Sequence, residues 1–211
     1  MGNFDRFNPS FSKARKEYSM QYGGVTEKRF KRTAISIGYK VKKTPIEIDR
    51  KSHIDFWLKY GDRDEVYSVD VKGSNLPDEI WCEFKNVQGN PGWLYGEAGI
   101  IAFEIPEEGG FAVVKRKELL KWCEENVEDV SVDNKKDAYL KKYTRRKNDD
   151  VITKIYLSDL KSLRSYRVWK YFTTICTSVT VKNPSPFMSP SAQYRSYQLV
   201  SINSMSFIPT T

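Results

Sequence analysis

The sequence predicts an α/β fold, a mixed central sheet flanked by helices and followed by a polar tail. Three observations carry that expectation. Short runs with apolar residues at every second position recur through residues 39–157, Val66 to Lys72 and Ile80 to Val87 among them. Helical spacing occurs at Phe30, Ala34 and Ile37, and again at Leu119, Leu120 and Trp122. From Thr173 onward the composition shifts to Ser, Thr, Pro and Asn, which cannot bury enough apolar surface to order itself.

Residues 1–22 are polar and basic with aromatics at Phe4, Phe7, Phe11, Tyr18 and Tyr22, a loose arm that turns helical from about Phe11. Thr26 to Ile37 follows as a helix, with Gly38 placed as its stop. Tyr39 to Lys43 is a strand closed by Thr44-Pro45, His53 to Lys59 a second that turns at Gly61-Asp62, and Val66 to Lys72 a third. Gly73 to Pro77 is a loop, and Ile80 to Val87 a fourth strand before a turn at Gly89 to Gly92. Gly99 to Ile105 and Gly110 to Lys115 form a hairpin across Pro106 to Gly109. Lys117 to Asn126 is an amphipathic helix. Asp137 to Asp150 is a charged loop reached by a short helical piece. Val151 to Leu157 is the last strand, and Ser158 caps a helix through Leu163. One domain is expected over residues 1–170, with its core at about 24–163, and residues 171–211 form a partly disordered tail.

Composition narrows the function. Charged residues make up 29% of the 211 and hydrophobic ones 39%, a soluble globular profile. The net charge of +8 points to an anionic partner. No Asp or Glu follows Asp159, whereas Lys161, Arg164, Arg167, Lys170, Lys182 and Arg195 do, so by subtraction residues 1–160 stand near +2. Cys82, Cys123 and Cys176 make no CxxC pair and no secretory signal precedes them, which implies a reduced, cytoplasmic protein, or the host cell interior for a viral one. No apolar run is long enough to span a bilayer. The single histidine, His53, excludes zinc hydrolases and zinc fingers, and no GxSxG elbow exists. Gly89-Asn90-Pro91-Gly92 lacks the Lys-Ser/Thr of a phosphate loop. Carboxylate and lysine chemistry remains.

That chemistry has a place. Asp is depleted in strands, yet Asp55 and Asp70 each sit in a strand pattern. Alternate strand residues share a face, so Asp70 and Lys72 point one way while Val69 and Val71 point into a core. Asp55, on the neighbouring strand, can lie beside them. Two carboxylates bind a hard divalent cation, and an ammonium stabilises a developing anion or activates water. His53 falls on the same strand face as Asp55.

The order helix, strand, strand with Asp55, strand with Asp70-x-Lys72 resembles the PD-(D/E)xK nuclease superfamily, the restriction-endonuclease-like fold, with the Holliday-junction-resolvase-like and phage nuclease branches nearest. The resemblance covers residues 24–120 and departs in having Ile54, not Pro, before Asp55. It implies magnesium, with manganese able to substitute, held by Asp55, Asp70 and the Val71 carbonyl; Lys72 as the catalytic lysine; and Glu27 as the helix glutamate that many members add. DNA is expected over RNA, and a homodimer would suit a junction cutter.

A second register uses Asp70 with Glu83-Phe84-Lys85, also acid-x-lysine on a strand, but it leaves Asp55 and Lys72 without roles. Lys42 and Lys43, with Lys40, Lys115 to Lys117 and Arg145-Arg146-Lys147, are candidate phosphate contacts. Trp93 and Tyr95 read first as core-packing turn residues and second as a stacking surface for a splayed base. A different class of function stays open: a nuclease-like fold that binds nucleic acid or protein without cutting.

Overall fold

The computed structural model describes residues 9–73, 78–146 and 148–171, with side chains described from residue 23 and not at Arg50. The expected tail, the loop centre at 74–77, Lys147 and the start of the N-terminal arm lie outside them. No described helix is long and apolar enough to cross a membrane.

Helix α1 runs unbroken over Pro9–Ser36, through the arm and past Gly23-Gly24. Its buried stripe is Thr26, Phe30, Thr33 and Ala34, one face at 3.6-residue spacing. Ile37, expected on that face, falls in the terminating turn and is exposed, while Gly38 at φ 99° turns the chain into β1 (Tyr39–Lys43). Helix α2 (Ile46–Ser52) was not expected: seven residues are too short for a periodic signal, and Ile46-Glu47-Ile48 alternates like a strand. It ends at His53, whose left-handed φ of 54° breaks the chain direction. Strand β2 is therefore Phe56–Tyr60, shorter than His53 to Lys59, and His53 lies on no strand face.

Strand β3 (Val66–Lys72) pairs antiparallel with β2, and β5 (Ile100–Ile105) pairs parallel with β3. The connection between β3 and β5 carries β4 (Glu79–Lys85) and a 3-10 turn at Trp93–Tyr95 in place of the usual crossover helix. The hairpin to β6 (Gly110–Lys115) turns through Pro106–Glu108 as expected, and α3 (Arg116–Asn126) follows. Strand β8 (Lys141–Tyr143) lies where sequence predicted charged loop, and β7 (Glu128–Val132) lies before it, in a stretch given no element. After β9 (Val151–Tyr156), α4 (Leu157–Lys161) is capped by Asp159, which accepts from the Tyr156 N–H, and not by Ser158, which sits inside its first turn. Strand β10 (Arg167–Lys170), also unforeseen, closes the edge of β6.

Among the described residues these strands make two sheets, β1-β2-β3-β5-β6-β10 and β4-β9-β8-β7, where one central sheet was expected. The class is mixed α/β; one flank that might have been helical is largely a second sheet. On one face of the six-stranded sheet, Phe30 and Ala34 of α1 pack on Phe56, Leu58, Val69, Ala102, Phe111 and Val113. On the other, Ile101, Phe103, Ala112 and Val114 meet Ile80, Cys82 and Ile155 of the second sheet and Leu119 and Cys123 of α3. Burying side chains of this size contributes about 1.5–3 kcal/mol each, so both faces of the six-stranded sheet are committed to cores.

Two glycines differ in what they tolerate. A β-carbon at Gly92 would sit 2.4 Å from the Glu83 carbonyl oxygen, backbone against backbone, whereas one at Gly23 meets nothing within 4 Å. Gly92→Ala should destabilise by about 2 kcal/mol or more, while Gly23→Ala, on an open helix position, should stabilise by up to about 1 kcal/mol. Urea unfolding of both variants measures this; equal effects would place Gly92 in a looser turn than described.

Candidate active site

The ladder between β2 and β3 sets the geometry. Phe56 pairs with Val69, and both point under α1. Just before β2, the Asp55 N–H donates to the Val69 carbonyl at 2.8 Å, one step off the ladder's register, and the Asp55 carboxylate accepts from the Val71 N–H, which brings it to β3 beside Asp70. Asp70, between Val69 and Val71 that pack under α1, points to the opposite face, and both acids are buried, Asp55 at 8% and Asp70 at 3% exposure. Like charges set opposite each other across a ladder repel, and burial strengthens the repulsion.

Each acid is held differently. Asp55 Oδ2 accepts from the Val71 N–H at 2.7 Å, and its Oδ1 lies 3.4 Å from Lys43 Nζ. Asp70 Oδ2 lies 2.8 Å from Lys72 Nζ, yet the pair is off hydrogen-bond geometry and the buried oxygen has no hydrogen-bond partner. Burial pushes the Asp70 pKa up to about 6; the charge of Asp55 adds to the rise, and the Lys72 ammonium opposes it.

Lys72 and Asp70 thus converge with Asp55 as the alternation predicted. Lys72 also lies with its ammonium 5.2 Å from the centre of the Trp93 ring. Glu83, from the second sheet, faces Lys72 and Arg145: burial raises its pKa and those two cations oppose the rise. Of the second register, Glu83 therefore approaches the site, but Asp70 and Glu83 stand on different sheets and Lys85 is at the exposed end of β4.

Lys43, expected to contact phosphate, is an ion-pair hub. Its ammonium lies 2.6 Å from Glu27 Oε2, 3.4 Å from Asp55 and 4.0 Å from Asp49 Oδ2. Glu27 reaches the acid pair through Lys43. Asp49, on α2, was missed by sequence reasoning because its helix was missed; burial and the Asp55 charge raise its pKa. The His53 imidazole, set by the αL turn, has its pKa lowered by burial and by Lys72.

The remaining basic candidates divide. Lys42 and Arg146 are exposed, and Lys40 pairs with Asp62 at 3.0 Å. Arg145 is tied to buried Asp150 through its side chain and its N–H. Arg116, within the Lys115 to Lys117 run, is a structural residue: it is buried and donates to the carbonyls of Leu94 at 2.6 Å and Ala98 at 2.7 Å. Trp93 is buried beside Phe103 and is not open to a splayed base, while Tyr95 is exposed.

Among the described residues no group of three or more His, Cys, Asp or Glu side chains is arranged to hold a metal ion. Magnesium needs less: one or two carboxylates, with waters and substrate phosphate completing the shell. A buried Asp70 carboxylate oxygen that meets the Lys72 ammonium without a well-aligned hydrogen bond, beside a second carboxylate, fits that partial set. No protein-family model, no curated protein and no solved structure matches this chain.

An acid whose pKa is higher in the fold than in the unfolded chain holds its proton more tightly when folded. Its contribution is then most favourable below the unfolded value of about 3.9 and is lost as pH rises through about 6. Metal-free protein should accordingly lose on the order of 3 kcal/mol from this group between pH 4 and 7. Asp70→Asn, neutral at every pH, should gain on the wild type over that interval. Urea unfolding in a chelator at both pH values tests it; a constant difference between the two proteins would remove the raised pKa.

Proposed function

We propose that this protein is a divalent-metal-dependent nuclease that hydrolyses phosphodiester bonds in DNA. The observation that carries the reading is the meeting of two buried acids, Asp55 at the entry to β2 and Asp70 on β3, with the Lys72 ammonium 2.8 Å from an Asp70 oxygen. Two buried like charges are costly unless a cation or a proton joins them. The succession α1, β1, α2, Asp55 at the entry to β2, and β3 with Asp70-x-Lys72 inserts one short helix into the order that resembles the PD-(D/E)xK superfamily, and that resemblance favours DNA and a restriction-endonuclease-like core.

Asp55 and Asp70, with the Val71 carbonyl, would hold magnesium or manganese. The bound ion supplies Lewis acidity and a water of lowered pKa. The chain's own residues do the rest. The Val71 N–H fixes the Asp55 carboxylate, Lys43 offsets the charge of Asp55, Glu27 and Asp49, and Lys72 offers its ammonium to a phosphate oxygen or to the attacking water. Among the described residues Lys42, Lys115, Lys117 and Arg146, all exposed, are basic candidates that can meet the backbone. The second reading is a non-catalytic nucleic-acid- or protein-binding module, favoured only by the lack of a third acidic ligand in the described set.

Incubation with plasmid, single-stranded and branched DNA, with and without magnesium, decides between them. Cleavage is expected only with the metal, and none on any substrate supports the binding module. Asp70→Asn should abolish cleavage in a folded protein. Lys72→Ala should lose about a hundredfold or more, on the scale of one transition-state donor, and Lys85→Ala much less. The reverse ranking moves the lysine role to the second register.

A further inference from the structure

The turn at Trp93–Tyr95 is clamped on both sides. The Gly92 N–H donates to the Phe84 carbonyl at 2.8 Å and Pro91 bridges to Lys85, which ties the turn to β4. The Glu97 N–H donates to the Ser52 carbonyl at 2.8 Å, which ties it to the end of α2 just before His53 and Asp55. Gly92 has no room for a side chain, and Gly96 is tightly packed. A β-carbon at Gly92 would meet the Glu83 backbone, and one at Gly96 would lie 3.0 Å from the His53 β-carbon and 3.1 Å from the Ser52 carbonyl oxygen. The turn is thus wedged between the strand that carries Glu83 and the corner that delivers Asp55.

The wedge holds one aromatic residue in place. Trp93 is 5% exposed and meets Phe103 edge to face at 5.8 Å between centroids. Its ring lies 5.2 Å from Lys72 Nζ. Lys72 acts on three acids, Asp70 at 2.8 Å, Glu83 on the second sheet and Asp49 on α2. A flexible four-carbon stem could turn toward any of them. An indole face attracts an ammonium lying near it and adds a direction to that choice.

We propose that Trp93 is a positioning residue: the turn holds its ring against Lys72 and so keeps the ammonium beside Asp70 and Asp55, away from Glu83. This rests on the nuclease reading for its consequence but not for its contact. Loss of the ring leaves Lys72 free to turn toward Glu83, so the chemical step suffers and substrate affinity does not. Trp93→Leu keeps an apolar filler without a π face, and Trp93→Phe keeps a smaller face.

Two measurements test it on the full chain. In metal-free protein, NMR of the Lys72 ε-methylene, assigned with Lys72→Arg, should show an upfield ring-current displacement that Trp93→Leu removes and Trp93→Phe partly keeps. In the magnesium-dependent cleavage assay Trp93→Leu should lower kcat roughly tenfold, the scale of one desolvated cation–π contact, with KM unchanged, and Trp93→Phe should recover most of it. An undisplaced Lys72 resonance in folded wild type overturns the proposal whatever the variants do. So does a kcat loss in Trp93→Phe equal to that in Trp93→Leu and following their melting temperatures, because a plain core residue behaves that way. A wild type that cleaves nothing overturns the nuclease reading, and the resonance still decides the positioning.

Discussion

Repulsion between Asp55 and Asp70 is the constraint around which the rest of this molecule is organised. The Val71 N–H holds the Asp55 carboxylate against β3 beside Asp70, and the second sheet with α3 covers the face that Asp70 occupies. Neither can move away without breaking the ladder, because Phe56 and Val69, one residue along, are locked under α1. A one-residue slip of β3 would turn Asp70 into that apolar core. The fold therefore holds an arrangement that is locally unfavourable, and the surrounding charges follow from it. Lys43 stands on one side with Glu27 and Asp49, and Lys72 on the other with Glu83 and Trp93.

Glu104 shows that burial of an acid is not by itself a mark of such a site. It lies on β5 of the same sheet, facing α1, and is as deeply buried as Asp70. Its oxygens accept from Thr26 Oγ1 at 2.7 Å, Arg29 Nη1 at 2.8 Å and Tyr171 OH at 2.9 Å. That carboxylate is a clamp, joining α1, β5 and the chain after β10 through satisfied hydrogen bonds. Breaking such a pair would be strongly destabilising. Asp70 has a single ammonium, badly aligned, and a second carboxylate for a neighbour. The contrast lies in the partners, not in the depth.

Alternation exposed the parts of the site that lie on regular strands. Val66 to Lys72 was legible to the residue because Val69 and Val71 alternate with Asp70 and Lys72, and Asp55 followed from the neighbouring pattern. The corner before Asp55 was not legible. Helix α2 has a single full turn or so of capacity for a periodic signal, and the αL conformation of His53 is a backbone property that a histidine does not announce. Asp49 was lost with that helix. Alternation also reports faces without saying which sheet a strand joins, so β4 and β9 read as members of one sheet when they form another. Strands β8 and β10, at three and four residues, are shorter than any pattern that could identify them. Trp93 could be read as a buried turn residue, but its ring's approach to Lys72 depends on the register between β4 and the turn, which no local pattern encodes.

The parallel pairing of β3 with β5 has a consequence for how the chain assembles. The two acids meet through an antiparallel pair only a short loop apart in sequence, whereas their cover depends on β5, β4 and β9, contributed by segments up to residue 156. Local contacts close early and distant ones late, because loop-closure entropy must be met first. During assembly the carboxylates therefore come together while still hydrated and screened by water. Their mutual repulsion grows only as the second sheet docks and the solvent leaves. Desolvation, and with it the demand for a counter-charge, belongs to the last stage of folding, so a cation captured from solution would act as the finishing piece of the tertiary structure as much as a reagent within it.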